Sequence, residues 1–140
     1  MGRIIAIDYG RKRTGIAVTD AERIIASGLT TVATATVMEF LDDYMQREPV
    51  DIIVVGEAKR MDNTPSESAR YIEPFVERLR IRHPEVTIAR IDERFTSKMA
   101  FQAMIAGGLK RKQRQNKALI DTVSAVIILQ SYMNELRVKS

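Results

Sequence analysis

The chain contains no cysteine. That excludes a disulfide framework and thiolate zinc sites, and it suits a reducing compartment. Its single histidine, His83, precedes Pro84 where a helical pattern stops, so it is read as a helix end and not as a catalyst. No apolar run approaches the roughly 20 residues needed to span a bilayer. The N-terminus enters a strand pattern directly, without the charged-then-apolar order of a secretory signal. The expectation is a cytoplasmic protein with no membrane partner. Internal repeats and low-complexity linkers are absent, so residues 1–140 are expected to form one domain, a length that suits a single core.

What is present points to a globular chain with a lean towards polyanions. Apolar residues make up 45% of the sequence, above the range of disordered chains. The formal charge is +4 and the pI about 9.6, which favours anionic partners without proving one.

The stretch Gly2 to Val18 organises the rest. Ile4 to Ile7 read as a strand buried on both faces, closed by Asp8. A carboxylate at the end of a buried strand is costly unless something pairs with it, and a cation is a good candidate. Gly10 and Gly15 allow tight turning, and Ile16 to Thr19 run back as a second strand. Between them Arg11, Lys12 and Arg13 set positive charge beside the acid, an arrangement suited to a phosphate substrate.

Further along, Ile24 to about Val32 predicts a third strand, with Gly28 as a candidate bulge. Val37, Phe40, Leu41, Tyr44 and Met45 recur at helical spacing, so about 36–47 is an amphipathic helix stopped by Pro49. Asp51 to Gly56 suits a buried parallel strand, followed by Glu57. A polar loop spans about 59–66. The next helix runs to about Arg82, with Phe75, Val76 and Leu79 inward; Pro74 either kinks it or lies in its first turn. Val86 to Ile91 is a fifth strand, ending at Asp92-Glu93-Arg94. A helix is expected over about 98–106, ended by Gly107-Gly108. A last helix runs from about Asn116 to Leu136, with Ile120, Val123, Ile127, Ile128 and Ser131 on one side. Three antiparallel strands followed by alternating elements imply an α/β fold, a mixed five-stranded sheet with helices on its faces.

Asp8, Glu57 and Glu93 each stand at or just past the C-terminal end of an apolar strand, where open α/β sheets bind ligands. Adjacency of strands one, four and five would bring them together. Asp121, in the first turns of the last helix, would join them if that helix crosses the sheet, and the positive helix end favours it there. Hard oxygen ligands without a cysteine or histidine cluster suit Mg²⁺ or Mn²⁺. Such ions would serve phosphodiester hydrolysis. Each acid also has a plainer account: a turn cap for Asp8, a solvated loop for Glu57, a surface pair with Arg94 for Glu93, a helix-start charge for Asp121. Lys110, Arg111, Lys112, Arg114 and Lys117 form the densest basic cluster. It is either a solvated loop or a sequence-blind grip on backbone phosphates. No aromatic is interleaved, so base stacking is not supported.

Three segments then carry a resemblance. Asp8-Tyr9-Gly10-Arg11-Lys12-Arg13-Thr14-Gly15, Asp92-Glu93-Arg94-Phe95-Thr96-Ser97, and Ile120-Asp121-Thr122-Val123-Ser124-Ala125 with Ile128-Leu129-Gln130 resemble the YqgF/RuvX family. These are Holliday-junction-resolvase-like nucleases of the ribonuclease H fold. The segments keep the family's order and spacing over essentially the whole chain. The resemblance implies a ribonuclease H-like fold and metal-dependent cleavage of nucleic acid, with Asp8, Glu93 and Asp121 as catalytic and metal-binding acids. Lys12 and Arg13 match the family's basic turn. It further implies a role in processing the precursor end of small-subunit ribosomal RNA, with junction resolution as the alternative. Gly56-Glu57-Ala58 departs from the family's Gly-Leu-Pro, so Glu57 is an extra candidate ligand and not one carried over. Arg11, Arg94 and the cluster from Lys110 to Lys117 complete the expected nucleic-acid contacts.

Two rivals come from other classes. An actin or sugar-kinase type ATP-binding domain shares the strand-Asp-x-Gly opening but normally needs two such domains. A nucleic-acid-binding module without catalysis would use the basic cluster and not the acids. The sequence leaves RNA or DNA as substrate, and monomer or homodimer, open.

Overall fold

The computed structural model describes residues 2–57, 69–92 and 117–139, with the side chains of the last segment described from 121 to 138. Five strands form one sheet: β1 (Arg3–Tyr9), β2 (Arg13–Thr19), β3 (Ala26–Ala33), β4 (Val50–Glu57) and β5 (Thr87–Asp92). Their order is β3-β2-β1-β4-β5. β1, β2 and β3 pair antiparallel, while β4 joins β1 and β5 joins β4 in parallel. The predicted mixed sheet is therefore borne out, and strands one, four and five are adjacent. A 3₁₀ turn at Thr34–Thr36 leads into α1 (Val37–Arg47); α2 is Ala69–Arg82 and α3 is Lys117–Lys139. The helix expected over about 98–106 lies outside the described residues. No helix among the described residues is long and apolar enough to cross a membrane.

Strand alternation divides the core into two layers. Ile5, Ile7, Ile16, Val18, Ile53 and Val55 pack against Val37, Leu41 and Tyr44 of α1 and Ile72, Phe75, Val76 and Leu79 of α2. Tyr9 continues that layer and stacks on Phe75, ring centroids 4.3 Å apart. On the other face Ile4, Ala6, Ala17 and Val54 pack against Ala125, Ile128, Leu129 and Met133 of α3. Small residues on that face let α3 lie close over β1, β2 and β3. A Cβ added at Gly28 would come within 2.5 Å of Thr122 Cγ2. The pairing of β2 with β3 shifts between Ile16 and Ala17, whose partners are Thr30 and Gly28. The extra residue is thus Leu29, next to the glycine from which a bulge was expected.

Candidate active site at the end of the central strand

The C-terminal end of β1 fixes Asp8. Ile4, Ala6 and Asp8 alternate onto the α3 face, and Asp8 pairs across the ladder with Gly15. Gly15 has no room for a side chain: an added Cβ would lie 2.0 Å from the Asp121 carbonyl oxygen and 3.0 Å from the Thr122 nitrogen. The α3 backbone therefore rests directly on Gly15. This is how Asp8 and Asp121, 113 positions apart (121 − 8), come to one place. The Thr122 hydroxyl secures the contact through Thr31 on β3, 2.6 Å away. Both Asp8 and Asp121 are half-buried.

Asp121 is the fifth residue of α3, not part of its first turn. The favourable helix-start charge expected for it is correspondingly weak, because the dipole effect fades within that turn. Positive charge comes instead from Arg13, whose Nε donates to Asp121 Oδ2 at 2.8 Å. The Arg13 side chain is 43% exposed and that of Asp121 is 23% exposed. Arg13 was expected among the nucleic-acid contacts; among the described residues its partner is the acid expected to bind metal.

The basic turn is clamped by a residue that the sequence did not single out. Thr34 Oγ1 donates to the Gly10 carbonyl at 2.7 Å, and its N–H donates to the Lys12 carbonyl at 2.9 Å. The buried Thr14 hydroxyl lies 2.8 Å from Thr34 Oγ1. With the Thr34 proton given to Gly10, the Thr14 hydroxyl is the donor. Arg11 and Lys12 project from this turn, both exposed. Nothing local marks Thr34, which stands among alternating alanines and threonines.

Glu57 closes β4, half-buried. Alternation puts it with Val55, on the face covered by α1 and α2, and it pairs across the ladder with Asp92. The structure thus brings Asp8 and Asp121 together and sets Glu57 on the opposite side of the sheet. Beside it, Arg90 forks onto both oxygens of Glu73 at 2.8 and 2.9 Å. Arg90 also donates to the Val55 carbonyl at 3.2 Å, tying α2 to the end of β4. The Arg90 hydrogen bonds hold the Glu73 carboxyl below the usual carboxylate range. Glu93, Arg94, Lys110, Arg111, Lys112 and Arg114 lie outside the described residues, as does the side chain of Lys117. His83 follows α2, and its N–H donates to the Leu79 carbonyl at 2.9 Å; it ends the helix as expected.

Among the described residues no group of three or more potential ligands gathers. Asp8 and Asp121, brought to the same end of the sheet through Gly15, are both hard carboxylates, and Asp121 already holds a cationic group in Arg13. That donor chemistry fits a small oxygen-loving divalent cation, with Glu93 as the expected third ligand.

A five-stranded sheet in this order, with an acid near the C-terminal end of its central strand and a long helix laid over it, defines a ribonuclease H-like fold. Two solved structures share the shape. A fowlpox virus resolvase, solved with substrate Holliday junction DNA, has a TM-score of 0.60 and 13% identity, covering 96% of this chain and 98% of its own. RuvC of T. thermophilus, solved with a Holliday junction substrate, has a TM-score of 0.58 and 16% identity, covering 97% and 96%.

Sequence comparison then gives the family. The RuvX family model, described as Holliday junction resolvase, matches residues 2–135, and the chain belongs to that family. A relative from Flavobacterium psychrophilum is 58% identical over 133 residues, covering 95% of this chain and 97% of its own. One from Phocaeicola vulgatus is 57% identical over 133 residues, covering 95% and 96%. Both carry the name "Putative pre-16S rRNA nuclease".

Proposed function

We propose that this chain is a metal-dependent nuclease that trims the precursor of 16S ribosomal RNA. Its family and its relatives make it a phosphodiester hydrolase. The observation that carries the fuller reading is the seating of α3 on Gly15, which sets Asp121 beside Asp8 and next to an exposed basic turn. Asp8, Asp121 and Glu93 would hold Mg²⁺ or Mn²⁺, and the bound cation supplies Lewis acidity at the scissile phosphate. Arg11 and Lys12 would bind backbone phosphates, a role shared with Arg94 and the cluster from Lys110 to Lys117. The attacking water enters in line with the departing oxygen, leaving a 5′-phosphate and a 3′-hydroxyl. Glu57 belongs to the opposite face, so its part would be to shape the rim and not to share the cation with Asp8. A cytoplasmic location accords with this substrate and with the absence of cysteine.

The family description and the two solved structures favour one second reading, resolution of branched DNA. Both are tested together by offering precursor RNA and a synthetic four-way DNA junction in Mg²⁺, Mn²⁺ and chelator. Asp8→Asn should abolish cutting while circular dichroism and melting stay close to wild type. Undiminished cutting by a folded Asp8→Asn protein would sink the assignment.

A further inference from the structure

The ion pair between Arg13 and Asp121 joins two groups with separate jobs in the proposed function. We infer that Arg13 makes cation binding depend on substrate: the guanidinium holds Asp121 until a nucleic-acid phosphate draws its charge away. This inference rests on the nuclease reading above and adds a linkage that the reading does not require.

Arg13 Nε donates to Asp121 Oδ2 at 2.8 Å. Its two Nη groups make no hydrogen bond among the described residues, and the side chain is 43% exposed. The guanidinium can therefore face a phosphate without first leaving its strand. Arg13 opens β2, paired with Ala33, and Thr34 clamps the turn before it. The strand and the clamped turn thus fix the backbone from which the guanidinium reaches Asp121.

A divalent cation arriving at Asp8 and Asp121 meets that charge within a few ångströms. Like charges around one carboxylate repel, and the half-buried setting screens them less than bulk water would. In the free chain Arg13 is both competitor and repellent for the cation. A substrate phosphate changes the balance, because guanidinium–phosphate hydrogen bonds are strong and fork-shaped. The phosphate neutralises Arg13 and adds negative charge beside the cation. Linkage is reciprocal, so cation and nucleic acid must each tighten the other by one factor. Such a chain would load its metal chiefly on substrate, which limits stray hydrolysis.

The test reads binding and not turnover. Mn²⁺ is titrated calorimetrically into the full chain as wild type, Arg13→Gln and Arg13→Lys. Affinity for a labelled single-stranded RNA is measured by anisotropy in Ca²⁺ and in chelator. Arg13→Gln should bind Mn²⁺ about five-fold or more tightly than wild type, the lower range of measured site couplings, and Arg13→Lys should stay near wild type. Ca²⁺ should tighten RNA binding by wild type several-fold, and that gain should shrink in Arg13→Gln to what the phosphate charge alone supplies. Unchanged or weaker Mn²⁺ binding by Arg13→Gln would overturn the inference, leaving Arg13 as a support for Asp121. So would an equal Ca²⁺ gain in both proteins. If Arg13→Gln fails to fold, a missing Ca²⁺ effect in wild type still overturns it. Failure of the underlying reading looks different: Mn²⁺ uptake undiminished in Asp8→Asn, or no RNA binding by wild type under any condition, removes the site and this inference with it.

Discussion

Gly15 and Thr34 shape the proposed site from beneath it. Gly15→Ala would drive a methyl into the Asp121 carbonyl, 2.0 Å from the ideal Cβ position. Backbone cannot step aside as a side-chain tip can, so α3 must lift. Overpacking of this kind costs on the order of 1–3 kcal/mol, read as a lower urea midpoint, and displaced Asp121 should lower cleavage beyond the stability loss. An unshifted midpoint would mean that α3 is not seated there. Thr34→Val keeps the shape but removes the donor to Gly10 and the acceptor for buried Thr14. A buried polar group left without its partner costs roughly 1–3 kcal/mol. The loosened turn should also weaken RNA binding, while Thr34→Ser, which keeps the hydroxyl, should restore both readouts. At this scale the sequence was legible where chemistry is local: an acid ending an apolar strand stands out, and so does a basic turn between glycines. It was illegible where partners are distant. The pairing of Arg13 with Asp121 spans 108 positions, and no spacing rule encodes it.

Elements were legible through periodicity, and their errors have physical causes. β3 begins at Ala26 and not at Ile24. The Asp20 carboxylate accepts the N–H groups of Ile24 and Ile25 at 2.7 and 2.9 Å, so those amides serve the turn and not the ladder. Pro74 lies at the sixth position of α2, inside the helix and past its first turn. The stripe expected on α3 is met in part, with the side chain of Ile120 outside the described residues. Ile128 is buried, but the buried line runs through Ala125, Ile128, Leu129 and Met133, with Val123, Ile127 and Ser131 only half-buried. A helix apolar over most of its circumference does not announce its inner face; the small residues of the sheet choose it. No periodicity in the sequence marks the junction of α1 with α2. Arg82 Nε donates to both oxygens of Asp42, at 2.9 and 2.7 Å, and His83 Nε2 lies 2.7 Å from Asp42 Oδ1. The Arg82 hydrogen bond, aided by His83 and opposed by burial, holds the Asp42 carboxyl below its ordinary value of 3.8. A carboxyl depressed on folding stabilises fully above its unfolded value and loses that contribution as pH falls through the folded one. Denaturation across pH should therefore show wild type ahead of Asp42→Asn near neutrality, with the gap closing below about pH 3.8. A gap that persists in acid would mean that the carboxylate charge is not what holds the helices.

For the whole molecule, the proposed site lies on a seam, with Asp8 from the sheet and Asp121 from the helix that crosses it. A cation held by both binds only the folded chain, so it must raise stability by mass action. At about 100 times its dissociation constant the gain is roughly 2.7 kcal/mol, which is several degrees in melting temperature for a chain of this size. Mn²⁺ should produce that rise, chelator should reverse it, and Asp8→Asn should abolish it; an equal rise in the variant would place the ion elsewhere. The same economy of one site bears on substrate. Among the described residues one acid from the central strand, Asp8, faces one from α3, Asp121, enough for a single cut. Resolving a four-way junction takes two matched cuts, and hence two chains related by a two-fold axis with both sites facing one DNA. A precursor RNA end asks for no such symmetry. The expected result is metal-dependent cutting of precursor RNA by a one-to-one complex in sedimentation, with the junction left without paired cuts. Symmetric junction cleavage together with a dimer on the DNA would reverse the order of the two readings, and the surface joining the two copies would then be part of the active enzyme.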